Sequence, residues 1–235
     1  MIVRRRALPL LGLSVFATPV RADTADLSLT CDTTLARAMR TAAAAYRTRI
    51  GVQVYVFPTG PGLILPQLVR DIQNDIVVTQ MAILDQAAQT GIVAQSPRAQ
   101  WRNALVVAGL QPTAVTNGVF AVADSSTASD MDGPALLERL HIRPTRMLSA
   151  IDTDEVAYLL TTGAAQAGLL HSTDVHADAR LAVIRRVSAD VAPPLHYAAS
   201  VTRLARRPYP AGFVDFLAGT DAAAILTAAG LEIAA

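Results

Sequence analysis

The sequence is poor in cysteine, in aromatic residues and in charge, and each scarcity excludes something. Its 235 residues include one cysteine, Cys31, so no disulfide can form within the chain. Aromatic residues make up only 5%, which argues against stacking platforms for bases or sugars. Charged residues make up 17% and hydrophobic residues 52%, a balance typical of a globular chain with a sizeable core.

Long apolar runs are missing too, apart from one short stretch near the N-terminus. Residues 1–6 are basic, residues 7–20 are apolar but too few to span a bilayer comfortably, and Val20-Arg21-Ala22 fits a cleavage site. We therefore predict a signal peptide over residues 1–22 and a mature protein in the periplasm. A retained membrane anchor is the alternative, and the arginine run leaves the Sec and twin-arginine export routes both open.

The predicted mature chain is not basic. The leader holds four arginines and no acidic residue, so its removal takes the formal net charge from +1 to −3. A nucleic-acid partner requires a basic surface, and we therefore expect none.

What the chain does offer is a strand, a hydroxyl-rich turn and a helix start within Leu27–Met39. Apolar residues alternate from Leu27 to Cys31, Asp32, Thr33 and Thr34 follow, and apolar residues then recur at helical spacing. Backbone N–H groups and threonine hydroxyls can converge on an anion at such a helix start.

The next fifty residues repeat this alternation of strand and helix. Strands are predicted at 51–57 and 74–79, and helices at about 64–73 and 81–90, with Pro66 in a first turn. A β-α-β-α-β order predicts parallel strands, whose carboxyl ends meet at one edge of a sheet and commonly bind ligands. The polar groups expected at that edge are Asp32–Thr34, Pro58–Gly62 and Thr79.

A second α/β unit is predicted over residues 105–194, followed by a strand at 195–201 and two C-terminal helices. Because no low-complexity linker separates the two units, we expect the chain to cross between lobes along strands. The predicted first lobe comprises residues 23–104 plus 198–235, and the second comprises 105–197.

Several fragments, in their order and spacing, resemble the periplasmic molybdate-binding proteins of ABC importers, which are type II periplasmic binding proteins. The resemblance runs from about Leu27 to Leu231. It is carried by Leu29–Leu35, Asn74–Thr79, Asn103–Val107, Ala121–Asp124, Gly168–Asp174, Phe213–Leu217 and Ala222–Gly230.

This resemblance implies an α/β fold of two lobes, with mostly parallel sheets flanked by helices and a ligand cleft between the lobes. It implies a monomeric solute-binding protein that is not an enzyme, has no cofactor, and delivers a small oxyanion such as molybdate or tungstate to an ABC permease. The family's ligand-binding positions, which use hydroxyl and backbone N–H donors, fall on or near Thr34, Thr59, Gly60, Ala128, Val156 and His171.

Three departures from the family pattern concern the ligand. His171 stands where the family has a tyrosine, and the serine-rich second loop has become Pro58–Gly62, whose prolines lack N–H donors. Asp32 replaces a small neutral residue, and a carboxylate beside an oxyanion is repulsive. The same fold with an organic or cationic ligand is therefore the alternative function.

Individual residues also have plainer interpretations. The alternative interpretations are that Asp32 is a helix N-cap, that Thr34 is a first-turn residue of that helix, and that His171 is a histidine with hydrogen-bond partners between the lobes. Cys31 is interpreted first as a buried strand residue, with a Cys31–His171 catalytic pair as a remote alternative.

A metal site and an enzyme are the lesser hypotheses. The group His171, Asp174, His176 and Asp178 suggests metal ion binding, but its spacing is not that of a metal motif, and no metal ligand is assigned. The sequence contains no nucleophile elbow, phosphate-binding loop or His-Glu-x-x-His motif.

Overall fold

The computed structural model of the chain describes residues 26–70, 74–93, 99–112, 117–123, 132–205 and 209–233. The predicted signal peptide and Ala128 lie outside these ranges.

Eleven strands and eight α-helices are assigned within the described ranges. The strands are β1 Leu27–Asp32, β2 Val54–Thr59, β3 Ile76–Gln80, β4 Ala99–Asn103, β5 Leu105–Gly109, β6 Val119–Ala123, β7 Arg146–Ala150, β8 Ala167–His171, β9 Ala182–Arg186, β10 Leu195–Val201 and β11 Glu232–Ile233. The helices are α1 Ala36–Ile50, α2 Pro61–Val69, α3 Met81–Gln89, α4 Gly133–Arg139, α5 Thr153–Thr161, α6 Ser172–Ala177, α7 Pro210–Ala218 and α8 Thr220–Ala228, and a 3₁₀ turn, Thr33–Leu35, precedes α1.

The strands form two sheets, one in each lobe. The first lobe has a six-stranded sheet in the order β11-β4-β10-β3-β1-β2, and the second a five-stranded sheet in the order β7-β6-β8-β5-β9. The predicted β-α-β-α-β unit is confirmed, since β1 pairs in parallel with both β2 and β3. The polar ends of these three strands therefore share one edge of the first sheet.

The two-lobed α/β fold is confirmed, and both sheets are mixed. Strand β10 runs antiparallel to β3 and β4, and β5 runs antiparallel to β8 and β9. The strands on either side of the two lobe crossings, β4, β5, β9 and β10, all take part in antiparallel pairs, which need no βαβ crossover.

The chain crosses between the lobes twice. The first crossing is the single residue Ala104, between β4 and β5, and the second precedes β10. All of β10, from Leu195 onward, pairs within the first sheet.

Each lobe has its own hydrophobic core. In the first lobe, α1, α7 and α8 cover one face of the sheet, and Trp101 and Phe213 are among the largest buried side chains. In the second lobe, separate clusters fill the two faces of the sheet around Phe120 and Val156. Burial on both faces explains why these strands are nearly continuous apolar runs.

Helix α2 differs from the predicted helix. It begins at Pro61 rather than near Ile64, so Pro66 lies inside the helix and not in its first turn. Proline at the first helical position is favourable because its missing N–H would have no partner there, and Pro61 defines the earlier start.

No described helix has, by itself, the length and hydropathy of a membrane span. Helices α7 and α8 meet that test only when taken together across a bend of 68°.

Candidate functional site

A cleft of about 600 Å³ lies between the lobes, at the edge where β1 and β3 end. The first lobe lines it with residues that follow these strands and with Tyr197 of β10, and the second lobe lines it with the starts of α4 and α5 and with His171 at the end of β8. Apolar side chains from both lobes, including those of Leu105, Leu136 and Leu195, form part of the cleft wall.

The floor of the cleft contains a chain of three hydrogen-bonded side chains from the first lobe. Thr34 donates its backbone N–H and its hydroxyl to Oδ1 of Asp32, over 3.2 and 3.0 Å. The hydroxyl oxygen of Tyr197 lies 3.2 Å from Oγ1 of Thr34. Asp32 is only 1% exposed, and its Oδ2 has no hydrogen-bond partner among the described residues.

The second lobe contributes a histidine to the same floor. His171 is 5% exposed and is the N-cap residue of α6, and its backbone N–H donates to Asp174 Oδ2 over 2.9 Å. The same carboxylate oxygen lies 3.6 Å from His171 Nδ1, which is too far for a hydrogen bond, and Nδ1 has no such partner in the described structure.

A buried amide joins the lobes beside the first crossing. Nδ2 of Asn103 donates to Oγ1 of Thr173 over 2.9 Å, and the backbone N–H of Thr173 donates to Oδ1 of Asn103 over 3.3 Å. Ser172 N–H donates to the carbonyl of Ala104, over 2.8 Å. The first turn of α6 is thereby fixed to the strand that leaves the first lobe.

Burial dominates the electrostatics of the floor. It raises the pKa of Asp32, an effect that the two hydrogen bonds from Thr34 and the nearby His171 oppose, while Asp174 reinforces it. Burial first, and then the Asp32 carboxylate, raise the pKa of Tyr197 well above its ordinary value. The Tyr197 hydroxyl therefore keeps its proton at neutral pH.

Cys31 does not fit the catalytic pair considered from the sequence. It is fully buried, and burial followed by the Asp32 charge raises its pKa to about 12. A thiol with that pKa is not a nucleophile near neutrality, since only the thiolate reacts readily. The interpretation of Cys31 as a buried strand residue is confirmed.

Carboxylates cap several of the helix starts that face the cleft. Asp32 caps the 3₁₀ turn before α1, Asp132 caps α4 and Asp152 caps α5, each by accepting a backbone N–H. The N-cap interpretation of Asp32 is confirmed. Helices α2 and α3, whose N-cap residues are Gly60 and Gln80, have no side-chain cap.

The residues predicted to bind ligand divide into those that line the cleft and those that do not. Thr34, His171 and the modulator Asp32 line it. Thr59 is buried, donates to Gln67 Oε1 over 3.3 Å, and is not in the lining, and neither is Gly60, although Pro61 is. Val156 lies in the second lobe's core, and Ala128 lies outside the described residues.

The sequence interpretation did not single out Tyr197, Asn103 or Arg139 as site residues. Tyr197 and Asn103 come to the floor because β10 pairs with β3 and β4, which lie more than 90 positions away in the sequence. The alternation of β10 predicts that Tyr197 lies on a buried face of the strand. It does not predict which cavity the residue borders.

No group of three or more histidine, cysteine, aspartate or glutamate residues within the described ranges could hold a metal ion. His176 instead bonds to the Ser172 carbonyl through Nδ1, and Asp178 pairs with Arg180.

Several solved structures share this architecture. The Azotobacter vinelandii periplasmic molybdate-binding protein is 16% identical with a TM-score of 0.71, over 89% of this chain and 100% of that one. A substrate-binding domain assigned to a molybdenum ABC transporter of Clostridium difficile is 16% identical with a TM-score of 0.70, over 89% and 99%. A Clostridium perfringens protein assigned to a phosphate ABC transporter, solved with bound phosphate, is 10% identical with a TM-score of 0.66, over 90% and 100%.

The fold is therefore the two-lobed α/β fold of these solved structures. More particularly, a family model described as bacterial extracellular solute-binding protein matches residues 27–232, and the chain belongs to this family. No curated protein sequence matches the chain significantly.

Proposed function

We propose that the protein captures a small solute in the periplasm and delivers it to the permease of an ABC importer, without chemical turnover. The observation that carries this proposal is the cleft, whose floor combines buried polar groups of both lobes: Asp32, Thr34 and Tyr197 with His171. Rotation of the lobes about their two crossings closes such a cleft on its ligand.

A small oxyanion such as molybdate or tungstate is one candidate ligand. It is supported by the starts of α2 and α3, which have no side-chain cap and whose positive dipole ends favour anions. It is also supported by the ligands named for the similar solved structures.

An organic or cationic solute is the second candidate, and the charges of the cleft favour it. Three carboxylates line the cleft, from Asp32, Asp132 and Asp152, whereas the one guanidinium in the described lining is that of Arg139. Two unit charges 4 Å apart in a partly buried site interact by about 4 kcal/mol. A divalent oxyanion beside ionised Asp32 would need compensation of at least that size.

The capture function is tested on protein purified from the periplasm. We expect mass spectrometry to recover a small solute in about equimolar amount, and small-angle scattering to show a smaller radius of gyration after that solute is added back. Recovery of no solute, together with an unchanged radius across a panel of anions, cations and neutral metabolites, would contradict the proposal.

A further inference from the structure

The three hydrogen-bonded side chains of the floor, Asp32, Thr34 and Tyr197, have a fixed direction of donation. An ionised carboxylate can only accept, so the Thr34 hydroxyl, 3.0 Å from Oδ1, must give its proton to Asp32. Thr34 Oγ1 then has no proton left, so the tyrosine is the donor in the 3.2 Å contact with the Tyr197 hydroxyl, and the Asp32 carboxylate is a second acceptor near that hydroxyl. Both hydroxyl protons of the floor are committed within the protein.

Acceptors are what this arrangement leaves for a ligand. The lone pairs of the Tyr197 oxygen are not used by the Thr34 contact, and Asp32 Oδ2 has no partner among the described residues although the residue is only 1% exposed. A buried carboxylate oxygen without a partner is costly unless something donates to it. The floor is therefore complementary to a hydrogen-bond donor and, when Asp32 is ionised, most of all to a cation.

Part of the cleft wall is apolar. Leu105, Leu136 and Leu195 line it together with Pro193 and Pro194, and the cleft's volume of about 600 Å³ lies in the range of sites for organic ligands. A tetrahedral oxyanion has no apolar surface to place against such a wall.

We infer that the cleft selects an organic solute that presents a protonated amine to Asp32 and Tyr197 and an apolar body to the leucine-lined wall. The inference rests on the proposed function and specifies its substrate class. An ammonium group supplies several N–H donors at once, so it can bond Asp32 Oδ2 and the Tyr197 oxygen together.

The test compares three probes that share one apolar ring and differ in the head group: cyclohexylamine, cyclohexanol and cyclohexanecarboxylate. Calorimetry on the mature protein at pH 8 should give the amine at least a tenfold lower Kd than the alcohol, and the carboxylate the weakest binding. Molybdate should give no heat.

Two variants test whether Asp32 is responsible for the preference for the amine. Asp32→Asn keeps a capping side chain but removes the charge, and it should reduce the preference for amine over carboxylate at least tenfold. Asp75→Asn is the matched control, since Asp75 is also buried and also accepts a backbone N–H, from Ser28 over 2.8 Å, but does not line the cleft. It should leave the preference within a factor of about two.

The variant Tyr197→Phe tests whether Tyr197 contributes to amine binding in addition to Asp32, because it removes the second acceptor while keeping the ring. It should weaken the amine several-fold and leave the carboxylate unchanged. Circular dichroism melts of each variant check that the fold is retained.

Equal binding of amine and carboxylate by the wild type, including no binding of either, overturns the inference, as does an undiminished amine preference in Asp32→Asn. The proposed function is tested separately, by mass spectrometry of the purified protein. An anionic solute recovered from the purified protein by mass spectrometry overturns the inference and upholds solute capture, whereas the absence of any bound solute and of any closure overturns both.

Discussion

The charged groups that line the cleft are buried in the first lobe and exposed in the second. Asp32 lies at the floor with almost no exposed surface, whereas Asp132, Arg139 and Asp152 of the second lobe are open to solvent. Water and salt screen exposed charges within about 8–10 Å at ordinary ionic strength, but screen buried ones far less. The comparison teaches that one buried carboxylate can influence the charge of the ligand more than three exposed groups, whose effect water and salt reduce.

The largest expected effect comes from disrupting the second lobe's half of the cleft at the strand that carries His171. A Cβ on Gly168 would lie 2.8 Å from the Ala121 carbonyl oxygen and 2.8 Å from Val156 Cγ1. We expect Gly168→Val to lower the free energy of unfolding by about 3 kcal/mol, because neither neighbour can move without disturbing the sheet. Chemical denaturation measures this change.

The control for that variant is Gly60→Ala on the first lobe's side. Gly60 has φ of −59°, and a Cβ on it would have no heavy atom within 4 Å, so stability should change by less than about 0.5 kcal/mol. A loss at Gly60 equal to that at Gly168 would contradict the steric explanation.

A smaller loss of stability is expected from variants at the buried contact between the two lobes. Asn103→Ala leaves the N–H and the hydroxyl of Thr173 unpaired in a buried place, which should cost about 2 kcal/mol. Thr173→Val removes the hydroxyl from the other side, and the double variant should lose less than the sum of the single losses. Additive losses in urea denaturation would mean that the two side chains do not act as a pair.

The pH dependence of stability tests the burial of Asp32 directly. Burial raises its pKa above the unfolded value, so the folded protein binds this proton more tightly than the unfolded chain does. Ionised Asp32 therefore destabilises the fold above its folded pKa, and that stability returns as the pH falls through the folded pKa toward the unfolded one.

Asp32→Asn should thus melt at a higher temperature than the wild type at pH 8, with a gap that narrows toward pH 4. The groups that face Asp32 are His171 and Asp174 of the second lobe and Tyr197 of β10, and all are retained in the variant. A gap that is constant from pH 8 to pH 4 would show that Asp32 does not titrate with a raised pKa.

The smallest effect is expected at an exposed contact between the lobes. Arg186 of β9 pairs with Glu232 of β11 over 2.8 Å, and both side chains are about half exposed. Glu232→Gln should cost about 0.5 kcal/mol or less, and nothing at 1 M salt. A loss above that of Asn103→Ala would reverse the ranking of buried over exposed interlobe contacts.

Local sequence patterns predicted the parts of the fold in which neighbouring segments of the chain pack together. The β1-α1-β2-α2-β3 unit followed from alternation and helical spacing, and it brought Asp32 and Thr34 to a sheet edge together with the end of β3. The N-cap role of Asp32 followed from its place before a helix.

The missed features depend on pairing between distant segments. Strands β4, β9 and β11 were not predicted, because short strands with exposed polar residues lack a clear period and are held by antiparallel partners far away in the sequence. The same non-local pairing brings Tyr197 to the floor. The sequence alone predicts that the Thr34 hydroxyl is free to donate to a ligand, whereas in the structure it donates to Asp32.

The crossing at Ala104 has a consequence for how motion of the lobes can be observed. Its carbonyl accepts the Ser172 amide proton, and Asn103 next to it is bonded to Thr173, so the backbone at this crossing is tied to the second lobe's α6. Rotation of the lobes must either carry this contact along or break it. The Ser172 amide is consequently an intrinsic probe: slow hydrogen exchange in both free and ligand-bound protein places the axis of rotation at α6, and fast exchange in the free protein alone places it elsewhere.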